Sequence, residues 1–184
     1  MPAMEAQVFK TILVANDGST HAKKALSLAC DIAQKYGARL VIMHVLLSNV
    51  RSEALRQLAN RRALSKRHRD LLESYEADAY TAMAAGGEGA MFVVIPAPQE
   101  LLTAIGRQIL DRAESDAKKA GVSKVSTTIC GGDPADTILT QAKGEKADMI
   151  VLGSRGLGDF KGLFLGSVSH KVSARAECTC VTVK

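Results

Sequence analysis

The chain has no apolar run near the roughly 20 residues that a membrane helix needs, so a helical membrane span is not expected. Its first residues, Met1 to Gln7, lack the basic stretch followed by an apolar stretch that marks a secretory signal. The expected location is therefore the cytoplasm. Cysteine is sparse and poorly spaced for chemistry: Cys30, Cys130, Cys178 and Cys180 form no CxxC pair, and no histidine stands beside them at metal-ligand spacing. They read as small apolar side chains, with Cys178 and Cys180 on one face of a strand. No nucleophile–base pair, carboxylate dyad or metal cluster stands out, so dedicated catalytic machinery is not expected.

What is present is ordinary globular material. The 184 residues are 47% apolar and 23% charged, which suits one domain with a real core. The formal charge of +5 is unevenly spread. Seven cations (Arg51, Arg56, Arg61, Arg62, Lys66, Arg67 and Arg69) share their stretch with Glu53 alone. Such a run forms a solvated helix face, a lid closing over phosphate, or a docking surface for an acidic protein partner. It does not read as a nucleic-acid surface, because Tyr75 lies near its basic end without a base-stacking pattern around it.

Apolar strands and amphipathic helices alternate along the chain, the pattern of βαβ units. Thr11–Ala15 reads as a strand ending in the turn Asn16-Asp17-Gly18-Ser19. The next segment repeats apolar residues at helical spacing from Ala22 to Tyr36, and Gly37 sits where a left-handed stop belongs. Leu40–Leu46 is a nearly unbroken apolar strand, as expected when both faces of a parallel sheet are covered. Further elements are a helix over Leu101–Ala120, a strand over Lys124–Cys130 and a helix opened by Asp133-Pro134. A strand at Met149–Leu152, a helix at Ser167–Ala176 and a strand at Cys178–Val183 complete the series. Right-handed crossovers give an α/β fold: an open, doubly wound, five-stranded parallel sheet with helices on both faces, Rossmann-like in kind. Residues 1–184 are expected to form a single domain, interrupted after the second strand by a largely helical insertion over about 48–99. Within it, Met91–Ile95 reads as strand-like.

In an open parallel sheet, ligands bind beyond the carboxyl ends of the strands, where the strand order reverses. After the fourth strand the chain places five glycines between Gly153 and Gly166. Missing side chains let an anion approach backbone N–H groups, and the helix opening at Gly166-Ser167 adds donors and a positive dipole end. Two familiar phosphate signatures fail. Asp159 follows Gly158 where a P-loop needs Lys, and neither this loop nor the first turn has a GxGxxG run.

The spacing that remains, Gly153-x2-Gly156-x9-Gly166-Ser167, resembles the ATP-binding form of the universal stress protein family. Its company supports the likeness: ILV…DGS at the first strand, His44-Val45 ending the second, then GSRGLG, GSVSHKV and a last strand opening with cysteine. The resemblance implies an adenine nucleotide alpha hydrolase-like fold, bound ATP (or ADP or AMP) with Mg²⁺, a homodimer through the last strand, and a role in stress adaptation. It places Ala15, Asn16, Val45 and Leu152 around adenine and Asp17 at adenine or ribose. Gly153, Arg155, Gly156, Gly166, Ser167 and Val168 would hold ribose and phosphates. Many members have Pro at the position of Ala15, Val or Thr at that of Asn16, and Pro at that of Thr179.

Each residue also has a plainer reading. Asp17 could cap the first helix, Arg155 could be a solvated surface residue, and Ser167 is expected at the N-cap in either case. His44 is expected to be packed or hydrogen-bonded, not catalytic. Three functions stay open at this point: a nucleotide-dependent regulator, a slow Mg²⁺-dependent ATPase, and a partner-docking module acting through the basic insertion.

Overall fold

A computed structural model describes residues 8–46, 55, 57–59, 64–85, 96–157 and 165–184. The expected strand at 91–95, the cations Arg51, Arg56, Arg61 and Arg62, and the loop glycines Gly158 and Gly162 lie outside these residues. The elements in chain order are β1 (Thr11–Ala15), α1 (Thr20–Tyr36), β2 (Arg39–Leu46), α2 (Lys66–Ala85) and α3 (Gln99–Lys119). They continue with β3 (Val125–Gly131), α4 (Pro134–Gly144), β4 (Met149–Gly153), α5 (Ser167–Arg175) and β5 (Thr179–Val183). The five strands form one parallel sheet in the order β3-β2-β1-β4-β5. The chain winds outward from β1 to β3, then returns past β1 to β4 and β5. The strand order therefore reverses between β1 and β4.

Period-two alternation sorts the side chains into two cores. Ile12, Val14, Leu40, Ile42 and Val151 point to the face covered by α1 and α3, where they meet Ala25, Ala29, Leu110 and Ala113. Leu13, Val41, Met43, Ile150 and Leu152 point to the other face, covered by α4 and α5 through Ala135, Ile138 and Val172. Cys178 and Cys180 pack together at the margin of this second core.

Local signals set most boundaries. Gly37 takes φ 63° and ends α1, a conformation that costs a side-chain-bearing residue about 1–2 kcal/mol. Asp133 accepts from the amides of Ala135 and Asp136, with Pro134 opening α4. The third strand runs one residue later than expected, because Gly131 still pairs with Leu46.

The insertion is anchored on α3. Leu72 and Tyr75 of α2 bury against Leu101, Leu102 and Ile105 in a third apolar cluster that also takes in Leu55 and Leu64. Helix α3 is thus apolar on two sides, one toward the sheet and one toward α2. Of the described insertion cations, Arg67 pairs with Glu100 at 2.8 Å and Arg69 donates to the Leu64 carbonyl at 2.6 Å.

Candidate functional site

A cleft of about 280 Å³ opens at the carboxyl ends of the central strands, where the strand order reverses. All eleven residues singled out from the sequence line it. Ala15, Val45 and Leu152 form an apolar floor together with Met43. Asn16 and Asp17 from the β1–α1 turn make one rim, facing Gly153, Arg155 and Gly156. Gly166, Ser167 and Val168 bring in the first turn of α5. The sequence reading missed Pro134 and Ile138, which wall the cleft from α4, and also Ala22, Met43, Leu157 and Ser169. The β3–α4 connection that brings Pro134 to the site carried no ligand signature, so only the three-dimensional approach reveals it.

The β1–α1 turn is held by its own side chains. Asn16 Oδ1 accepts from Gly18 N at 2.9 Å, and Asp17 Oδ1 accepts from Ser19 N at 3.0 Å. The helix cap is Ser19, whose Oγ accepts from Ala22 N at 3.2 Å. The capping role considered for Asp17 is therefore filled two residues later. Asp17 instead reaches across the cleft, where its Oδ2 accepts the Leu157 amide at 3.2 Å. Gly156 makes room for this contact, since a Cβ there would stand 2.5 Å from the same oxygen.

The glycine-rich loop is closed at its base. Ser154, 1% exposed, accepts through its carbonyl from Gly166 N at 2.7 Å and from Ser169 Oγ at 2.9 Å. The N-cap of α5 is Gly166 in an extended conformation, and Ser167 is the first helical residue. This corrects the expected N-cap at Ser167. The hydroxyl near the helix start that works on the backbone is Ser169, which also donates to the Gly166 carbonyl at 2.9 Å. Among the described residues no side chain caps α5, which leaves the amides of its first turn to an external acceptor. Gly153 has a packing role: a Cβ there would come within 2.9 Å of the His21–Ala22 backbone.

Arg155 lines the cleft and is half-buried. His44 lies beneath the turn, and its Nδ1 is 2.8 Å from the Asn16 carbonyl oxygen. Burial holds its pKa below the ordinary 6.5, opposed by the Asn16 hydrogen bond and the Asp17 charge. The ring is packed and hydrogen-bonded, as expected. Among the described residues, no group of three or more His, Cys, Asp or Glu side chains could hold a metal ion. No described helix is long and apolar enough to cross a membrane.

The sheet and its reversal point define an α/β protein of Rossmann-like topology, with a cleft at the carboxyl ends of its strands. The family model for the universal stress proteins matches residues 9–184, and the chain belongs to that family. It is 36% identical to the Thermus aquaticus protein called "Universal stress protein in QAH/OAS sulfhydrylase 3'region", over 96% of this chain and 100% of that one. The fold matches a universal stress protein solved in complex with cAMP (TM-score 0.58, 22% identity, 96% of this chain and 97% of that one). It also matches the Archaeoglobus fulgidus universal stress protein solved in complex with dAMP (TM-score 0.58, 19% identity, 96% and 99%).

Proposed function

We propose that the cleft binds an adenine nucleotide, ATP with Mg²⁺, and that the protein acts as a nucleotide-dependent regulator in stress adaptation. The observation that carries this reading is one cleft that joins an apolar slot to two phosphate-grade features. The slot lies between the floor residues Met43, Val45 and Leu152 and the α4 wall of Pro134 and Ile138. A planar base fits such a slot because its faces are apolar and its edge meets the polar ends of the strands. The phosphate-grade features are the glycine-rich loop and the uncapped first turn of α5. The cAMP and dAMP complexes of the two structural neighbours support an adenine nucleotide as the ligand class.

In this reading Ala15, Asn16 and Val45 surround the base. Asp17 accepts from ribose hydroxyls with lone pairs not engaged by Ser19 and Leu157. Gly153, Gly156, Gly166 and Val168 bring backbone close to the phosphates, while Arg155 and Ser167 add side-chain donors. Mg²⁺ would arrive with the triphosphate and take most of its ligands from phosphate and water. The protein acts in the cytoplasm as a homodimer paired through β5, whose outer edge has no strand partner among the described residues.

The test is calorimetry of Mg²⁺–ATP on protein stripped of carried-over nucleotide, beside a Gly156→Val variant. The expected result is micromolar binding that the variant loses, since its side chain displaces the Asp17 carboxylate. A folded, stripped protein that binds no adenine nucleotide would falsify the reading.

A further inference from the structure

His44 belongs to the opposite side of the sheet from the cleft. In β2, Met43 and Val45 face the ligand cleft, so His44 between them faces α1 and α3. Its ring fills a slot that exists because α3 carries Gly106: a Cβ at 106 would stand 2.8 Å from His44 Cδ2 and 3.3 Å from Nε2. The imidazole is 8% exposed, and its Nδ1 lies 2.8 Å from the Asn16 carbonyl oxygen. A carbonyl only accepts, so Nδ1 carries the proton and donates.

That bond acts on the residue after Asn16. The Asn16–Asp17 peptide is planar and trans, so fixing its carbonyl toward His44 turns the Asp17 N–H the other way. It also sets the direction in which the Asp17 side chain leaves the backbone. Asp17 is the residue whose carboxylate meets Leu157 N at 3.2 Å. Two further contacts brace the turn: the Asn16 amide donates to Met43 O at 2.8 Å, and Gly18, at φ 83°, lies against Ile109 and Leu58.

We infer that His44 is the positioning residue of the nucleotide cleft: from behind the sheet it holds the Asn16 carbonyl, so that Asp17 clasps the glycine-rich loop at Leu157. It touches no ligand. The inference rests on the nucleotide reading only for its effect on affinity; the effect on the turn stands without it.

Three variants test it, read by amide hydrogen exchange of the free protein and by Mg²⁺–ATP calorimetry. His44→Leu removes the donor, and His44→Asn places an amide N–H near the position of Nδ1. Gly106→Ala keeps the histidine but drives a methyl group into its ring. The Leu and Ala variants should exchange the Gly18 and Leu157 amides about tenfold faster, with a similar loss of affinity, on the scale of one buried hydrogen bond. Amides of β1 and β4 should be unchanged, and His44→Asn should restore both readouts. Normal exchange at Gly18 and Leu157 in folded Gly106→Ala and His44→Leu proteins would overturn the inference. If the wild-type protein binds no nucleotide, the nucleotide reading fails, and the exchange data alone decide the role of His44.

Discussion

At the scale of single residues, the glycines of the loop divide by what their missing Cβ would strike. At Gly153 the obstacle is the His21–Ala22 backbone of α1, within 2.9 Å, which cannot step aside. At Gly156 it is the tip of the Asp17 side chain, at 2.5 Å, which can rotate away. Gly153→Ala should therefore lower stability by about 1–3 kcal/mol through overpacking, read from denaturant midpoints. Gly156→Ala should leave the midpoint nearly unchanged and weaken nucleotide binding, because the Asp17–Leu157 bond is lost. Equal destabilisation by both would show that the carboxylate is as immobile as backbone. A motif written as letters gives these two glycines the same standing, and only the packed neighbours separate them.

At the scale of elements, the parts visible in the sequence were those governed by local physics. The apolar run of β2, the left-handed stop at Gly37 and the Asp133-Pro134 start of α4 each depend on a few adjacent residues, and each stands where expected. The parts that escaped depend on segments far apart in the chain. The α5 cap moved to Gly166 because Ser154, twelve positions earlier, takes the Gly166 amide. Pro134 and Ile138 became a cleft wall because α4 docks against β2 and β3, next to the floor residues Met43 and Val45. The second apolar side of α3 was also overlooked, although the neighbouring pairs Leu101-Leu102 and Ile109-Leu110 mark a helix buried in two directions. That side holds the insertion. Leu72, fully buried in the cluster against α3, should on replacement by Ala weaken the α2–α3 contact by about 2–5 kcal/mol. The expected signature is faster amide exchange across Lys66–Ala85 with β1 and β4 still protected. Uniform loss of protection across the sheet would mean that α2 is integral to the main core.

At the scale of the whole molecule, the core contains a probe of its own integrity. Cys30 is buried in the α1 face of the sheet core. Burial, with smaller contributions from Asp31 and Asp116, pushes its thiol from an ordinary 9.0 up to about 11. The unfolded chain therefore releases this proton at lower pH than the folded one. Linkage makes stability fall as pH rises from about 9 to about 11. Below that window both states hold the proton, and the contribution to the slope vanishes. Cys30→Ala should flatten the decline, measured as denaturant midpoints across that window beside the parent protein. An identical decline in both would place its origin in other groups. At neutral pH, Cys30 should resist alkylation until the protein unfolds globally, because attack requires an accessible thiolate.

The strand order sets a timetable for synthesis. β1 is the middle strand, and its second neighbour, β4, comes late: the Thr11 amide meets the Asp148 carboxylate across 137 positions of chain. At about 5–20 residues per second, a growing polypeptide waits on the order of ten seconds between making β1 and making β4. During that interval β1 can pair with β2, while its other edge waits for its native partner β4. The nascent protein therefore spends most of its synthesis with an apolar strand edge open to chaperones or to neighbouring chains on the same message.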